Sequence, residues 1–135
     1  MGRTGIATAN FLVAKQALVT LIDSKPRIEL EGTVQSLSPN VQTVFECSEP
    51  PADADLIVLS PGVDIHSPFL GKARNQGTEI ISEIELASRF TQTPIIAVTG
   101  TNGKSTVTTL IGKILEQAGK KEAVGGNLGA PFIGL

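Results

Sequence analysis

Short apolar runs alternate along the chain with stretches whose apolar residues recur at helical spacing. Residues 5–15 fit a helix opened by Gly2 and Gly5, and residues 17–22 (ALVTLI) read as a buried strand ending at Asp23. Residues 24–40 are polar and turn-rich, with a weak strand over 33–37, and residues 41–45 form another short strand. A Pro-rich loop over 49–53 leads to the apolar run 56–59 (LIVL), a strand stopped by Ser60-Pro61-Gly62. Ser67 and Pro68 then suit the N-cap and first turn of a helix that Gly77 ends. A strand over 78–81 runs into Ser82-x-x-Glu85 spacing, a capping box that opens a helix through Phe90. Glu83 and Glu85 are two positions apart and so face different ways; Glu85 is assigned to capping and Glu83 to solvent.

The second part repeats the scheme. Residues 94–99 read as a strand. Residues 104–118 give the clearest helix, with Val107, Leu110, Ile111, Ile114, Leu115 and Ala118 on one face and Gly119 at its end. Residues 121–124 start a further strand, broken by Gly125-Gly126-Asn127-Leu128-Gly129. Strand and helix in alternation predict an α/β fold with a mostly parallel sheet. Thr91-Gln92-Thr93-Pro94 is the expected boundary, giving units of residues 1–92 and 93–135. A glycine turn of the kind at residues 2–5 normally follows a strand, and the second sheet has few elements to complete it. The expectation is therefore a piece of a larger protein whose first strand is missing, with exposed edges and loose packing in the first unit.

Composition narrows the class. The 135 residues are about one domain's worth, 41% are hydrophobic and 18% charged, which excludes an extended disordered chain. Eleven basic against thirteen acidic residues leave a net charge of −2, and with no Trp or Tyr this argues against nucleic acid as a partner. No apolar run has the length of about 18 residues that a membrane helix needs, so no membrane insertion is expected. One Cys, Cys47, forms no intrachain disulfide and fits a reducing cytoplasm; one His, His66, builds no histidine metal cluster.

The strongest chemical signal is Gly100-Thr101-Asn102-Gly103-Lys104-Ser105-Thr106, set between an apolar run and an amphipathic helix. Successive amide N–H groups and the helix N-terminus favour a phosphate there. Gly100 and Gly103 let the backbone approach closely, Lys104 can meet the β- and γ-phosphates, Ser105 can ligate Mg²⁺, and Thr106 can add a hydroxyl near the α-phosphate. Position 98 is Val where the strict phosphate-loop pattern has Gly, so the motif is the shorter G-x-x-G-K-S. Gly2-Arg3-Thr4-Gly5 is a weaker glycine turn before a helix, and Asp23 ends a strand where a carboxylate suits a ribose or base.

The 100–106 run resembles the ATP loop of the ATP-dependent Mur ligases, which build the peptide stem of bacterial peptidoglycan. Residues 59–63 (LSPGV), 83–86 (EIEL) and 124–131 (VGGNLGAP) extend the likeness over nearly the whole chain. Within the family they look like the members that join D-glutamate to UDP-N-acetylmuramoyl-L-alanine. The resemblance implies a Rossmann-like parallel-sheet unit that binds the UDP-sugar, followed by the start of a P-loop ATPase-type central domain. It implies a bacterial cytoplasmic protein, with ATP and Mg²⁺ used alongside those two substrates. Carried over by motif, ATP falls to Gly100 through Thr106 with Lys104 in the catalytic role, and Mg²⁺ to Ser105. The UDP substrate falls to Arg3, Thr4, Asp23, Ser24, Lys25, Gly62 and Asn127. The family's other magnesium-binding, adenine-binding and D-glutamate-binding residues come later than residue 135, so the 135 residues alone are expected to be inactive as a ligase.

Three other readings stand beside this one. Folylpolyglutamate synthetases share a similar loop, so a ligase of another amino acid or of folate is one, with residues 60–62 and 124–131 weighing against it. A nucleotide-binding module without catalysis is another. A dinucleotide-dependent oxidoreductase rests on Gly2, Gly5 and Asp23 alone and leaves the Lys104 loop unexplained.

Overall fold

A computed structural model describes residues 2–126 and 129–135. Helix α1 spans Arg3–Ala14. It ends in a Schellman turn: the Ala17 amide donates to the Leu12 carbonyl (3.1 Å) and the Gln16 amide to that of Val13 (2.8 Å). Gln16 takes the left-handed backbone usually left to glycine, at φ 65°. Strands β1 (Val19–Asp23) and β2 (Val41–Phe45) pair in parallel, Val19 opposite Val41 and Asp23 opposite Phe45. Their crossover carries a 3₁₀ turn at Arg27–Glu29 and a short helix α2 at Glu31–Val34. Asn10 of α1 anchors that crossover near its β2 end: its amide group donates to the Ser36 carbonyl (3.0 Å) and its oxygen accepts from the Ser38 amide (2.8 Å).

Strands β3 (Leu56–Leu59) and β4 (Glu79–Ser82) form a second parallel pair, from Leu56 opposite Glu79 to Leu59 opposite Ser82. A 3₁₀ turn at Pro68–Leu70 and helix α3 (Gly71–Asn75) cross between them. Gly77 (φ 79°) closes α3 with the Thr78 amide bonded to the Ala73 carbonyl. Helix α4 (Glu83–Ser88) follows β4 directly, capped by Ser82 Oγ accepting from the Glu85 amide at 3.1 Å. Helix α5 runs over Lys104–Gln117, and a last 3₁₀ turn over Phe132–Gly134.

The α/β class and the parallel pairing agree with the sequence. The parallel strands form two small two-stranded sheets, β1–β2 and β3–β4. Helix α1 spans them: it lies against β1 and β2, while its Ala7, Phe11 and Leu12 pack on the cluster of Ile81, Leu86, Ala87 and Ile133 that also gathers Leu56 and Val58. Phe11 meets Phe90 edge-on at 5.0 Å, and the Lys15 ammonium sits over both rings.

Several local expectations are corrected. The weak strand over 33–37 is replaced by α2, because residues 31–34 serve as the crossover between two parallel strands and carry no ladder. The single helix expected from Ser67 to Gly77 splits into a 3₁₀ turn and α3, and Ser67 makes no side-chain cap. Residues 94–99 and 121–124 lie outside any strand. A strand is a hydrogen-bonded partnership, and these runs have no neighbouring backbone to complete one among the described residues; Ile95 and Ile96 are exposed. Glu83 is not in solvent but 2% exposed. Glu85 is half of the expected capping box: its amide takes the cap, while its carboxylate pairs with Arg89.

Candidate functional site

Two regions collect the residues singled out by sequence. The first is the N-terminus of α1. Gly2 stands as its N-cap in extended backbone without a side-chain cap, and the first intrahelical bond beyond it runs from the Ile6 amide to the Gly2 carbonyl (3.2 Å). The amides of Arg3, Thr4 and Gly5 therefore have no intrahelical partner. Gly5 is buried, and a Cβ there would lie 3.4 Å from Ser60 Oγ and 3.6 Å from Leu21 Cδ1. Glycine thus brings the helix start down between β1 and the residue following β3. Arg3 and Thr4 flank this contact, at the carboxyl end of a parallel strand pair, where open α/β sheets hold ligands.

Asp23 closes β1, and its Oδ1 accepts from the Lys25 amide at 2.9 Å, tying the chain into a tight turn. The Lys25 ammonium pairs with Glu29 at 3.1 Å, both half-exposed, and Ser24 is exposed. Gly62 lies in the turn closed by the Val63 amide donating to the Ser60 carbonyl (3.0 Å); space beside it is open. Asn127 falls outside the described residues. The His66 amide donates to Asp64 Oδ1, and the Cys47 thiol donates to the Glu49 carbonyl.

The second region is the glycine loop before α5. Gly100 (φ 144°) and Gly103 (φ 76°) both adopt backbone that a side chain would strain, and Gly103 is the N-cap of α5. The first helical bond runs from the Val107 amide to the Gly103 carbonyl at 3.0 Å. No protein acceptor takes the amides of residues 101–106 among the described residues. The Lys104 side chain bends back so that its ammonium donates to the Gly100 carbonyl at 2.5 Å. Thr101, Asn102, Ser105 and Thr106 are exposed. An open cleft of about 400 Å³ lies beside the helix start, lined by Ser105, Thr106, Thr109, Leu110 and Lys113. No hydrogen bond or ion pair joins residues 100–106 to α1 or to Gly62 among the described residues.

Sequence reasoning missed two residues. Ser60 was read as part of a strand stop, yet its hydroxyl faces the start of α1. Glu83 was read as solvated, yet its carboxylate accepts from the Ile133 amide at 2.6 Å. The signal for Glu83 was its spacing: with Leu86 and Ala87 it occupies i, i+3 and i+4, the buried stripe of α4. Among the described residues, no group of three or more His, Cys, Asp or Glu side chains could hold a metal, and no helix is long and apolar enough to cross a membrane.

Comparison with known proteins gives the family. Residues 1–82 match the family described as Mur ligase MurD-like, N-terminal domain. The UDP-N-acetylmuramoylalanine–D-glutamate ligase of Geobacter metallireducens is 46% identical over 138 aligned positions, covering 100% of this chain and 30% of that protein. The ligase of the same name from Desulfatibacillum aliphaticivorans is 47% identical, covering 96% of this chain and 30% of its own length. Among solved structures, a pseudomurein peptide ligase type C from Methanothermus fervidus superposes with a TM-score of 0.51 at 24% identity, over 87% of this chain and 24% of that one, which bears on fold alone. The chain therefore spans about 30% of the length of the curated relatives it matches. On the match over residues 1–82 and the likeness over the whole chain, this protein belongs to the MurD-like Mur ligase family and is homologous to UDP-N-acetylmuramoylalanine–D-glutamate ligases.

Proposed function

We propose that this chain carries the nucleotide-sugar-binding unit and the phosphate loop of a ligase that joins D-glutamate to UDP-N-acetylmuramoyl-L-alanine at the expense of ATP, in the bacterial cytoplasm. Residues 1–92 would form the Rossmann-like UDP-sugar unit and residues 93–135 the start of a P-loop ATPase-type unit. In the reaction, the substrate carboxylate oxygen attacks the γ-phosphorus and the bond to the ADP oxygen breaks, leaving an acyl phosphate. The D-glutamate amine then forms the C–N bond as phosphate departs, and the amine proton passes to solvent. A carboxylate is a poor acyl donor, so phosphate is installed as the leaving group. The protein's part is positioning and charge neutralisation.

The observation that carries the reading is the loop itself: amides 101–106 without acceptors among the described residues, at the start of a 14-residue helix, on a backbone that needs Gly100 and Gly103. The Lys104 ammonium would leave the Gly100 carbonyl for the phosphates. A Mg²⁺ ion, which neutralises phosphate charge when bound, fits the Ser105 hydroxyl as one oxygen ligand: that hydroxyl is exposed and has no partner among the described residues. Arg3 and Thr4 at the α1 N-terminus, with Asp23, Ser24, Lys25, Gly62 and Asn127, would hold the UDP substrate. The glycine-rich turn at 125–130 would stand against its phosphates. Support comes from the amides of Arg3, Thr4 and Gly5, which have no intrahelical partner, and from the family match over residues 1–82.

Calorimetry of the wild type and Lys104→Ala tests this. Mg·ATP affinity should fall about tenfold or more in the variant, the scale of a lost charge-assisted hydrogen bond, while UDP-N-acetylmuramoyl-L-alanine affinity stays unchanged. Equal ATP affinity in the two proteins would remove the ligase reading. With both substrates and ATP, the 135-residue chain alone should release no ADP.

A further inference from the structure

Glu83 is a carboxylate in the wrong place for a carboxylate. It is 2% exposed, on the stripe of α4 that also buries Leu86 and Ala87, against a cluster of aliphatic side chains. An apolar side chain of equal length would fill that space without the cost of desolvating a charge. What the carboxylate adds is one directional contact: Oε1 accepts from the Ile133 amide at 2.6 Å, across 50 positions of sequence. Ile133 is itself in the core cluster, and its 3₁₀ turn packs on α1 and α4. Immediately before that turn the chain closes on itself, the Gly126 amide donating to the Ala130 carbonyl at 2.9 Å. A Cβ on Gly125 would come within 2.7 Å of that same carbonyl oxygen, so the closure is tight. The Gly126–Ala130 closure and the 3₁₀ turn that follows it are thus tied to α4 by Glu83.

We propose that Glu83 is a positioning residue: through the Ile133 amide it fixes where the turn closed by the Gly126–Ala130 hydrogen bond stands relative to α1 and α4, and so sets nucleotide-sugar affinity without touching the ligand. The inference rests on the proposed function, which puts that turn against the substrate's phosphates.

Two near-isosteric variants separate the hydrogen bond from the packing. Glu83→Gln keeps an oxygen that can accept from Ile133; Glu83→Met fills the volume and cannot. UDP-N-acetylmuramoyl-L-alanine affinity should stay within about twofold of wild type for Gln and fall about tenfold for Met, the scale of losing a hydrogen bond to a charged acceptor. Hydrogen exchange at the Ile133 amide should quicken by a similar factor in Met alone, with the amides of β3 and β4 unchanged. Wild-type affinity in the Met variant, equal losses in both variants, or faster exchange throughout β3 and β4 would each overturn the proposal. If the wild type itself binds no UDP-sugar, the nucleotide-sugar reading fails and takes this proposal with it. Faster Ile133 exchange beside undiminished affinity in Met overturns the positioning role alone.

Discussion

Residues 2–90 and residues 94–124 are written in the same alternation of apolar runs and amphipathic helix, and they end up packed very differently. In the first region, α4 has six residues and buries Glu83, Leu86 and Ala87 among them. In the second, α5 has fourteen and buries only Gly112, against Val124, while Val107, Leu110 and Ile114 on its apolar face are 46%, 57% and 55% exposed. The apolar runs differ in the same way. β3 and β4 satisfy each other's backbone groups, whereas residues 94–99 have no ladder among the described residues. An amphipathic pattern therefore specifies a helix and the face it would bury; the partner that covers the face is a separate requirement.

The largest expected effect breaks or upholds that contrast directly. Leu86→Ala opens a cavity in the apolar cluster of Ile81, Ala87 and Ile133, and should cost about 2–5 kcal/mol in urea denaturation. Leu110→Ala, on the exposed face of α5, should change stability by about 0.5 kcal/mol or less. Comparable losses for the two would mean that α5 is covered in solution and that the two regions are not different in kind.

How far the sequence could be read follows the same line. Features set by a few neighbouring residues were legible. Ser82 caps α4, and Gly77 and Gly119 stop their helices at φ 79° and 71°. The runs 41–45 and 56–59 are strands with those same bounds. The start of α5 at Lys104 was legible too, directly after Gly103 at φ 76°. Features decided by distant partners were not. Whether 94–99 becomes a strand depends on a neighbour, and α2 replaced a weak strand because the crossover needed it. Glu83 was misread because residue type was weighed above position; a Glu in register with Leu86 and Ala87 sits on the buried stripe, and its partner lies 50 residues on.

The next effect asks how closely the segment that follows the second region is packed. A Cβ at Gly125 would meet Leu135 Cδ1 at 2.6 Å and the Ala130 carbonyl oxygen at 2.7 Å. The side chain can swing away, but the carbonyl is already held by Gly126. Gly125→Ala should therefore destabilise by about 1–3 kcal/mol and expose the Gly126 amide to exchange. An unchanged melting curve with an unchanged Gly126 amide would show the turn to be looser than its distances. Back in the first region, Ser82→Ala removes the cap oxygen from the Glu85 amide and should cost about 1 kcal/mol. A loss near that of Leu86→Ala would mean that α4 docks through its cap and not its apolar stripe.

The smallest effect concerns the ion pairs that distinguish the outer face of the first region. Arg89 donates from Nη2 to Glu79 at 2.8 Å and from Nε to Glu85 at 3.1 Å, joining α4 to β4. The hydrogen bond from Arg89, and then its charge, hold the Glu79 carboxyl below the ordinary glutamate value; the same contacts, Glu79 first, raise Arg89, which stays charged throughout. Since Glu79 titrates lower folded than unfolded, its pairing contributes fully above the unfolded glutamate range, around pH 4.3, and is lost as pH falls through the lowered folded value. All three side chains are about half exposed, so salt should screen the pairing strongly. In Arg89→Gln, the Glu79 carboxyl followed by NMR should titrate at the ordinary glutamate value, with stability near neutral pH almost unchanged. A Glu79 midpoint that did not move would assign its shift to something other than Arg89, and the link from α4 to β4 would then rest on the apolar contacts alone.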